Sequence, residues 1–179
     1  MDYLIFILVF CVFILRLYFL KISKKNEKNI LENGGKEYGV NNTKAITIVH
    51  VMFYLFCLFE AIVREVKLDI VSCIGLGLLL FAFFMLYYIV NYLLKDIWTV
   101  KLMIAKNHKY NPHFLFRTIK HPNYYLNIFL ELVGLSMLCH ASVSFIILAP
   151  IYLIIMYIRI KEEDNLIKNV IIPNGIKEF

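Results

Sequence analysis

Cysteine is scarce in this chain and scattered where it occurs. Its four cysteines, Cys11, Cys57, Cys73 and Cys139, all lie in apolar runs, with no CxxC and no Cys/His spacing. A zinc centre and a disulfide framework therefore have no support, and no metal site is predicted. Glycine is also sparse, seven residues in 179. Gly75-Leu76-Gly77 lies inside an apolar stretch with no strand before it, so it is not a dinucleotide or phosphate loop. Acidic residues are outnumbered, 13 against 19 Lys and Arg, for a net charge of +6. That excess is not organised into a basic domain interleaved with aromatics, so nucleic acid is not an expected partner. There is no internal repeat, no low-complexity tract and no nucleophile–base constellation.

Apolar residues are what the chain has in abundance. They make up 61% of the sequence, with a mean hydropathy of +0.72, where soluble domains sit nearer half. Five stretches are candidates to enter a bilayer, whose hydrocarbon core takes about 20 helical residues to cross. They run roughly over Tyr3–Leu20, Ala45–Val63, Ile70–Leu94, Tyr124–His140 and Val143–Ile158. The last two are short and nearly continuous, which predicts a tight hairpin whose open ends share a side. The first run has neither a basic leader nor a small-residue cleavage site, so it reads as a retained helix. The length suits one domain, 1–179.

Lys and Arg set the expected orientation. Lys21, Lys24, Lys25, Lys28, Lys36 and Lys44 follow the first span. Lys95, Lys101, Lys106, Lys109, Arg117 and Lys120 follow the third, and Arg159, Lys161, Lys168 and Lys177 follow the last. The other side carries only Arg64 and Lys67. The positive-inside rule then puts loops 21–43 and 95–123 and the tail 161–179 in the cytoplasm, with the N-terminus outside. The fold class expected is an all-α integral membrane protein of about five transmembrane helices, in a bacterial cell membrane. Gly34-Gly35 and Gly39 mark turns in the first loop. Pro122 suits the first turn of a helix, where a missing N–H costs nothing.

The polar residues most able to carry chemistry sit at the ends of the hairpin. Tyr124, Asn127 and Glu131 share a helix face. Glu131 is deep enough that a lone carboxylate costs several kcal/mol unless it is paired or faces a wet cavity. It is either hydrogen-bonded to a neighbouring helix or part of a cavity wall that orients a ligand or acts as a base. Arg159, Glu162 and Glu163 follow at i, i+3, i+4. By themselves they describe a solvated helix end; opposite His121 they describe a site in which Arg159 holds an anion and the carboxylates take hydroxyls or an ammonium. His50 reads as an inter-helix hydrogen bond, Glu60 as interfacial, and Trp98, Tyr124 and Tyr125 as belt aromatics or cavity walls.

His121-Pro122-Asn123-Tyr124 before the hairpin, with Arg159-Ile160-Lys161-Glu162-Glu163 after it, resembles the isoprenylcysteine carboxyl methyltransferase family. That family carries Arg-His-Pro-x-Tyr and Arg-x-x-Glu-Glu in this order. The match runs from Trp98 to about Leu166. The N-terminal segment RLYFLKISKKNEKNILENGGKEYG with VHVMFYLFCLFE resembles a short bacterial branch thought to methylate lipid-chain polyketides such as alkylpyrones and alkylresorcinols. The resemblance implies S-adenosyl-L-methionine as cofactor. It assigns His108, Tyr110, Asn111, Phe116, His121, Pro122, Asn123, Tyr124 and Glu163 to cofactor binding, with Glu162 beside them, and Arg159 to the acceptor. Lys120 stands where the family has arginine, Phe114-Leu115-Phe116 where it has a Gly-Pro-Tyr-like turn, and Asn42-Thr43 where the bacterial branch has His-Tyr.

In methyl transfer the cofactor carries the reactive group and the protein supplies orientation and desolvation. A carboxylate acceptor needs a cation, for which Arg159 serves. A phenol-like acceptor, with a pKa near 10, benefits from a base, for which His121 and Glu131 are candidates. The expected partners are a hydrophobic or lipidated acceptor and membrane lipid, the acceptor entering sideways from the bilayer and the cofactor from the cytoplasm. Three other readings stand beside this one: a phospholipid N-methyltransferase, an NADPH-dependent lipid reductase, and a non-catalytic membrane protein. Sterol-reductase-like chains share His-Pro-x-Tyr but continue with Gly-Glu, where this chain has Tyr-Leu-Asn.

Overall fold

The computed structural model describes residues 2–106 and 113–173. Helix α1, Tyr3–Glu32, opens on Asp2, whose side chain accepts from the Leu4 N–H at 3.1 Å. Its 30 residues reach about 45 Å at 1.5 Å per residue, well beyond the roughly 30 Å of a hydrocarbon core. The surplus is the lysine-rich stretch from Lys21 onward, which continues the helix through much of what the sequence reads as a loop. Gly34, at φ 80°, reverses the chain into a three-residue strand, β1, Lys36–Tyr38. Strand β2, Leu102–Ile104, pairs with it antiparallel, Glu37 opposite Met103. This ribbon is an addition to the all-α expectation. Lys101 ties it down through Glu27 and, at 3.1 Å, Glu37. The α1 extension also holds the incoming loop: Asn26 Nδ2 donates to the carbonyls of Lys95 and Trp98, and Ser23 Oγ accepts from Val100 N–H.

Helices α2, Val40–Val63, and α3, Ile70–Tyr88, follow. A π-helical turn, Ile89–Leu93, extends α3. A one-turn helix, α4 (Phe114–Thr118), precedes a π-helical segment, Asn123–Phe129, that runs into α5, Leu130–Leu138. Helix α6, Ser142–Leu166, returns beside them and continues as a π-turn to Ile171. Among the described residues four helices are long and apolar enough to cross a membrane: Tyr3–Glu32, Val40–Val63, Ile70–Leu93 and Ser142–Ile171. The stretch expected as the fourth of five spans is helical, but with seven and nine residues in its two parts it covers about 24 Å. It forms the short arm of the hairpin.

The molecule is apolar outside as well as inside. Phe10, Leu55, Phe84 and Ile154 are all exposed on the long helices, a surface that water penalises and lipid accepts. Inside, α3 packs on α5 and α2 on α6. The first pair meets backbone to backbone where Gly75 crosses Gly134. A Cβ on Gly75 would come within 2.6 Å of the Gly134 carbonyl oxygen, and one on Gly134 within 2.8 Å of the Gly75 oxygen. Gly134→Val should therefore destabilise the protein by about 1–3 kcal/mol, seen as a lower midpoint of thermal unfolding in detergent. Gly77→Val, where a Cβ meets nothing within 4 Å, should leave it unchanged.

Glu60, expected at the interface, is buried and caps α6. It accepts from Val143 N–H at 3.1 Å, Ser144 N–H at 2.8 Å and Ser144 Oγ at 2.7 Å. A carboxylate there satisfies orphan donors and complements the helix dipole. The hairpin turns at Cys139–Ala141, and its open ends meet as expected: His121 Nε2 lies 2.9 Å from Asp164 Oδ1.

Candidate functional site

The site grows from the π-helical segment. Its wider turn, common where a helix is shaped around function, starts at Pro122 and sends Tyr124 toward α6 and Asn127 toward α1. Tyr124 donates its hydroxyl proton to Glu163 Oε2 at 2.5 Å and accepts from Arg159 Nε at 3.3 Å. The His121 and Tyr124 rings stack at 5.6 Å with planes 18° apart. His121 sits between two carboxylates, its Nε2 on Asp164 and its Nδ1 3.5 Å from Glu163 Oε1. Lys120 Nζ reaches the same Asp164 at 2.7 Å.

Arg159 is buried and spends its remaining nitrogens on neutral acceptors, Thr43 Oγ1 at 2.8 Å and the Val100 carbonyl at 3.1 Å. It thereby fastens α6 to the start of α2 and to the loop before β2. Burial opposes a charge on His121, but the hydrogen bonds and negative charges of Glu163 and Asp164 outweigh it and raise its pKa above the ordinary 6.5. The charged form is thus favoured in the folded state. Its contribution to stability is complete below pH 6.5 and is lost as pH rises through the raised value. Thermal unfolding followed from mildly acidic to alkaline pH should show that decline in the wild type and not in His121→Gln.

Between these residues and the preceding loop lies a cavity of about 310 Å³, within the range of small-molecule sites. His121, Tyr124, Arg159 and Glu163 line its polar side; Trp98, Leu102 and Ile171 line its apolar side. Trp98 is buried, and its indole N–H has no hydrogen-bond partner among the described residues. A buried donor left unpaired costs about 1–3 kcal/mol, and an acceptor on a ligand in this cavity would remove that cost. A flat heterocycle against the apolar wall, with hydroxyls and an amino-acid end near carboxylates and cations, suits this lining. S-adenosyl-L-methionine has those parts, so the residues present fit it.

A second cavity, about 700 Å³, opens between the π-segment with α5 on one side and α6 on the other. Ile128, Phe129, Leu132, Phe145, Leu153 and Met156 are among its walls, and among the described residues no charged side chain lines it. Among the described residues Tyr124 alone lines both cavities.

The structure brings together many of the residues read from sequence. Phe116, His121, Pro122, Asn123, Tyr124, Arg159 and Glu163 all line the first cavity. Glu162 does not; its carboxylate lies against Gly39. Glu131 lines neither cavity. It is fully buried and paired with Arg16, whose Nε lies 2.6 Å from Oε1, and it accepts from Tyr54. His108, Tyr110 and Asn111 lie outside the described residues. Arg16 and Asp164 have no role in the sequence expectations, and Thr43 figures there only as a departure from the bacterial branch. Arg16 alone carried a signal, as a lone arginine in an apolar run, where charge demands a partner.

A bundle of helices with apolar outer faces, holding one cavity with a charged side and an apolar one beside it, defines an integral membrane protein. The profile of the isoprenylcysteine carboxyl methyltransferase family matches residues 74–169, and the chain belongs to that family of membrane methyltransferases. An uncharacterised protein of Haemophilus influenzae is 43% identical over 155 residues, covering 87% of this chain and 90% of that protein. The uncharacterised protein YpbQ of Bacillus subtilis is 21% identical over 144 residues, 80% of this chain and 84% of its own. No solved structure matches.

Proposed function

We propose that this protein transfers a methyl group from S-adenosyl-L-methionine to a carboxylate or hydroxyl of a hydrophobic acceptor dissolved in the membrane. The observation that carries this reading is the meeting of a polar and an apolar cavity at Tyr124. The polar cavity holds the cofactor. Trp98 and its apolar neighbours take the ring, Glu163 and Asn123 the hydroxyls, and Lys120 and Asp164 close the rim. When bound, the cofactor supplies an electrophilic methyl group on a sulfonium. Tyr124, pinned by Glu163 and Arg159, forms the wall where the two ligands touch, and closing that wall around them excludes water.

Arg159 faces the cofactor cavity and is held by Tyr124, Thr43 and Val100. Its part is to fix that wall and place its positive charge beside the acceptor's polar end. Glu131 serves at one remove, through the helices it joins. The acceptor enters from the lipid side and the cofactor from the cytoplasm, toward which the lysine-rich loops face. A groove without charged lining suits a free lipid better than a lipidated protein.

Incubating the purified protein with bacterial lipid extract and radiolabelled methyl donor tests the reading. Label in a base-labile ester or an aryl ether is expected. Label in a headgroup amine would favour the phospholipid N-methyltransferase instead, and no lipid label would contradict both.

A further inference from the structure

We propose that Lys161 selects the acceptor by charge, and that the apolar groove takes a single-chain amphiphile with an anionic group at its cytoplasmic end. This rests on the methyl-transfer reading. The α6 wall of the groove runs from Phe145 to Ile160, about 22 Å at 1.5 Å per residue. A chain lying in it would cross most of a hydrocarbon core of roughly 30 Å, beside the chains of the surrounding lipid. The volume, about 700 Å³, is that of a site for one small ligand. Among the described residues the walls carry no charge, so whatever fixes the ligand's polar end sits at the mouth.

Arg159, the cation expected there from the sequence, is committed elsewhere. It lines the cofactor cavity and not the groove, and its three nitrogens are bonded to Tyr124, Thr43 and the Val100 carbonyl. Pro150, Leu153 and Tyr157 line the groove from α6 at helical spacing, and Lys161 is the next position on that face. Its Nζ lies 4.6 Å from the centroid of the Tyr157 ring, folded back along the helix over an aromatic that is itself a groove wall. The acids that follow Lys161 are engaged with other groups. Glu162 lies against Gly39, Glu163 accepts from Tyr124, and Asp164 pairs with Lys120 and His121.

Lys161 also stands at the right height. It lies on α6 between Arg159 and Glu163, both of which bond Tyr124, so it shares the layer in which the two cavities meet. An anion at the mouth would face the amine with the Tyr157 ring beneath it, whereas a neutral head group gains nothing from the charge. A plain surface pair at i, i+4 would explain the lysine–tyrosine contact, but it predicts no preference between an acid and an alcohol of the same chain.

That difference is measurable without turnover. cis-Parinaric acid, a fluorescent fatty acid, and the corresponding alcohol are titrated with protein in detergent at mildly alkaline pH, each corrected for its uptake by empty micelles. The wild type should bind the acid about fivefold more tightly than the alcohol, the effect of one favourable charge at a membrane surface. Lys161→Met should bring the two affinities together, Lys161→Arg should keep them apart, and Lys161→Glu should reverse their order. Ala149→Trp, which fills the groove, should weaken both alike. Equal affinities in the wild type, a preference that survives Lys161→Met, binding undiminished by Ala149→Trp, or no binding of either probe would overturn the assignment. Displacement of the probe by dioleoylphosphatidylglycerol as readily as by palmitate would contradict a single-chain ligand. Failure of the parent reading is seen separately, as absence of S-adenosylhomocysteine binding by the wild type.

Discussion

Glu131→Ala should be the most damaging single substitution in the bundle. Its carboxylate is fully buried, and Arg16 pairs with it while donating from Nη2 to Asn127 Oδ1 at 3.2 Å. Removing the acid leaves a largely buried guanidinium with the Asn127 amide oxygen, the Tyr54 hydroxyl and the face of Phe83, 5.4 Å away, as its company. Breaking a buried pair from one side costs about 3–5 kcal/mol, because the surviving charge keeps its desolvation penalty. The pair also spans helices with few other joints: Arg16 comes from α1, Glu131 from α5, and Tyr54 from α2. The expected result is a large fall in thermal unfolding midpoint in detergent. The double variant Arg16→Met with Glu131→Leu removes both charges and should recover most of the loss. Equal instability of the double variant would mean that hydrogen bonding, not charge balance, holds these helices.

Glu163→Ala should have the second largest effect, on binding rather than on stability. Glu163 accepts from Tyr124, lies beside His121 and lines the cavity proposed for the cofactor. Losing it unpins the wall between the cavities and removes an acceptor for ligand hydroxyls. Hydrogen bonds to a charged group contribute about 1.5–3 kcal/mol, so S-adenosylhomocysteine should bind roughly 10–100-fold more weakly, measured by calorimetry. Glu162→Ala, one residue earlier and outside the cavity lining, should leave the affinity unchanged. The reverse pattern would relocate the cofactor.

Those neighbouring glutamates show what the sequence could and could not reveal. Spacing placed Arg159, Glu162 and Glu163 on one helix face, and two of the three line the cavity. The third turns to Gly39, whose lack of a side chain makes room for it. Asp164 takes its place opposite His121. Helical periodicity cannot separate such choices, because they depend on which residue of the other hairpin arm is opposite.

The long spans and the hairpin were legible because apolar runs of bilayer length have few alternatives. The Lys36–Tyr38 and Leu102–Ile104 ribbon was not, since strands of three residues carry no periodic signal and find each other only through the fold. The Arg16–Glu131 pair joins residues 115 apart. Each end is visible alone as a charge in an apolar run, but the partnership is a product of packing. The sequence likewise suggests an inter-helix hydrogen bond at His50, which forms with Tyr152 at 3.2 Å, and an interfacial place for Glu60. Only the arrangement in space shows that one lies between Tyr152 and Glu131 and that the other caps α6.

Calorimetry of the purified protein in detergent, with S-adenosylhomocysteine and separately with NADPH, tests the central claim most directly. Saturable binding of S-adenosylhomocysteine alone, weakened by Glu163→Ala and by His121→Ala, is the predicted result. Binding of NADPH only, or of neither ligand, would contradict it.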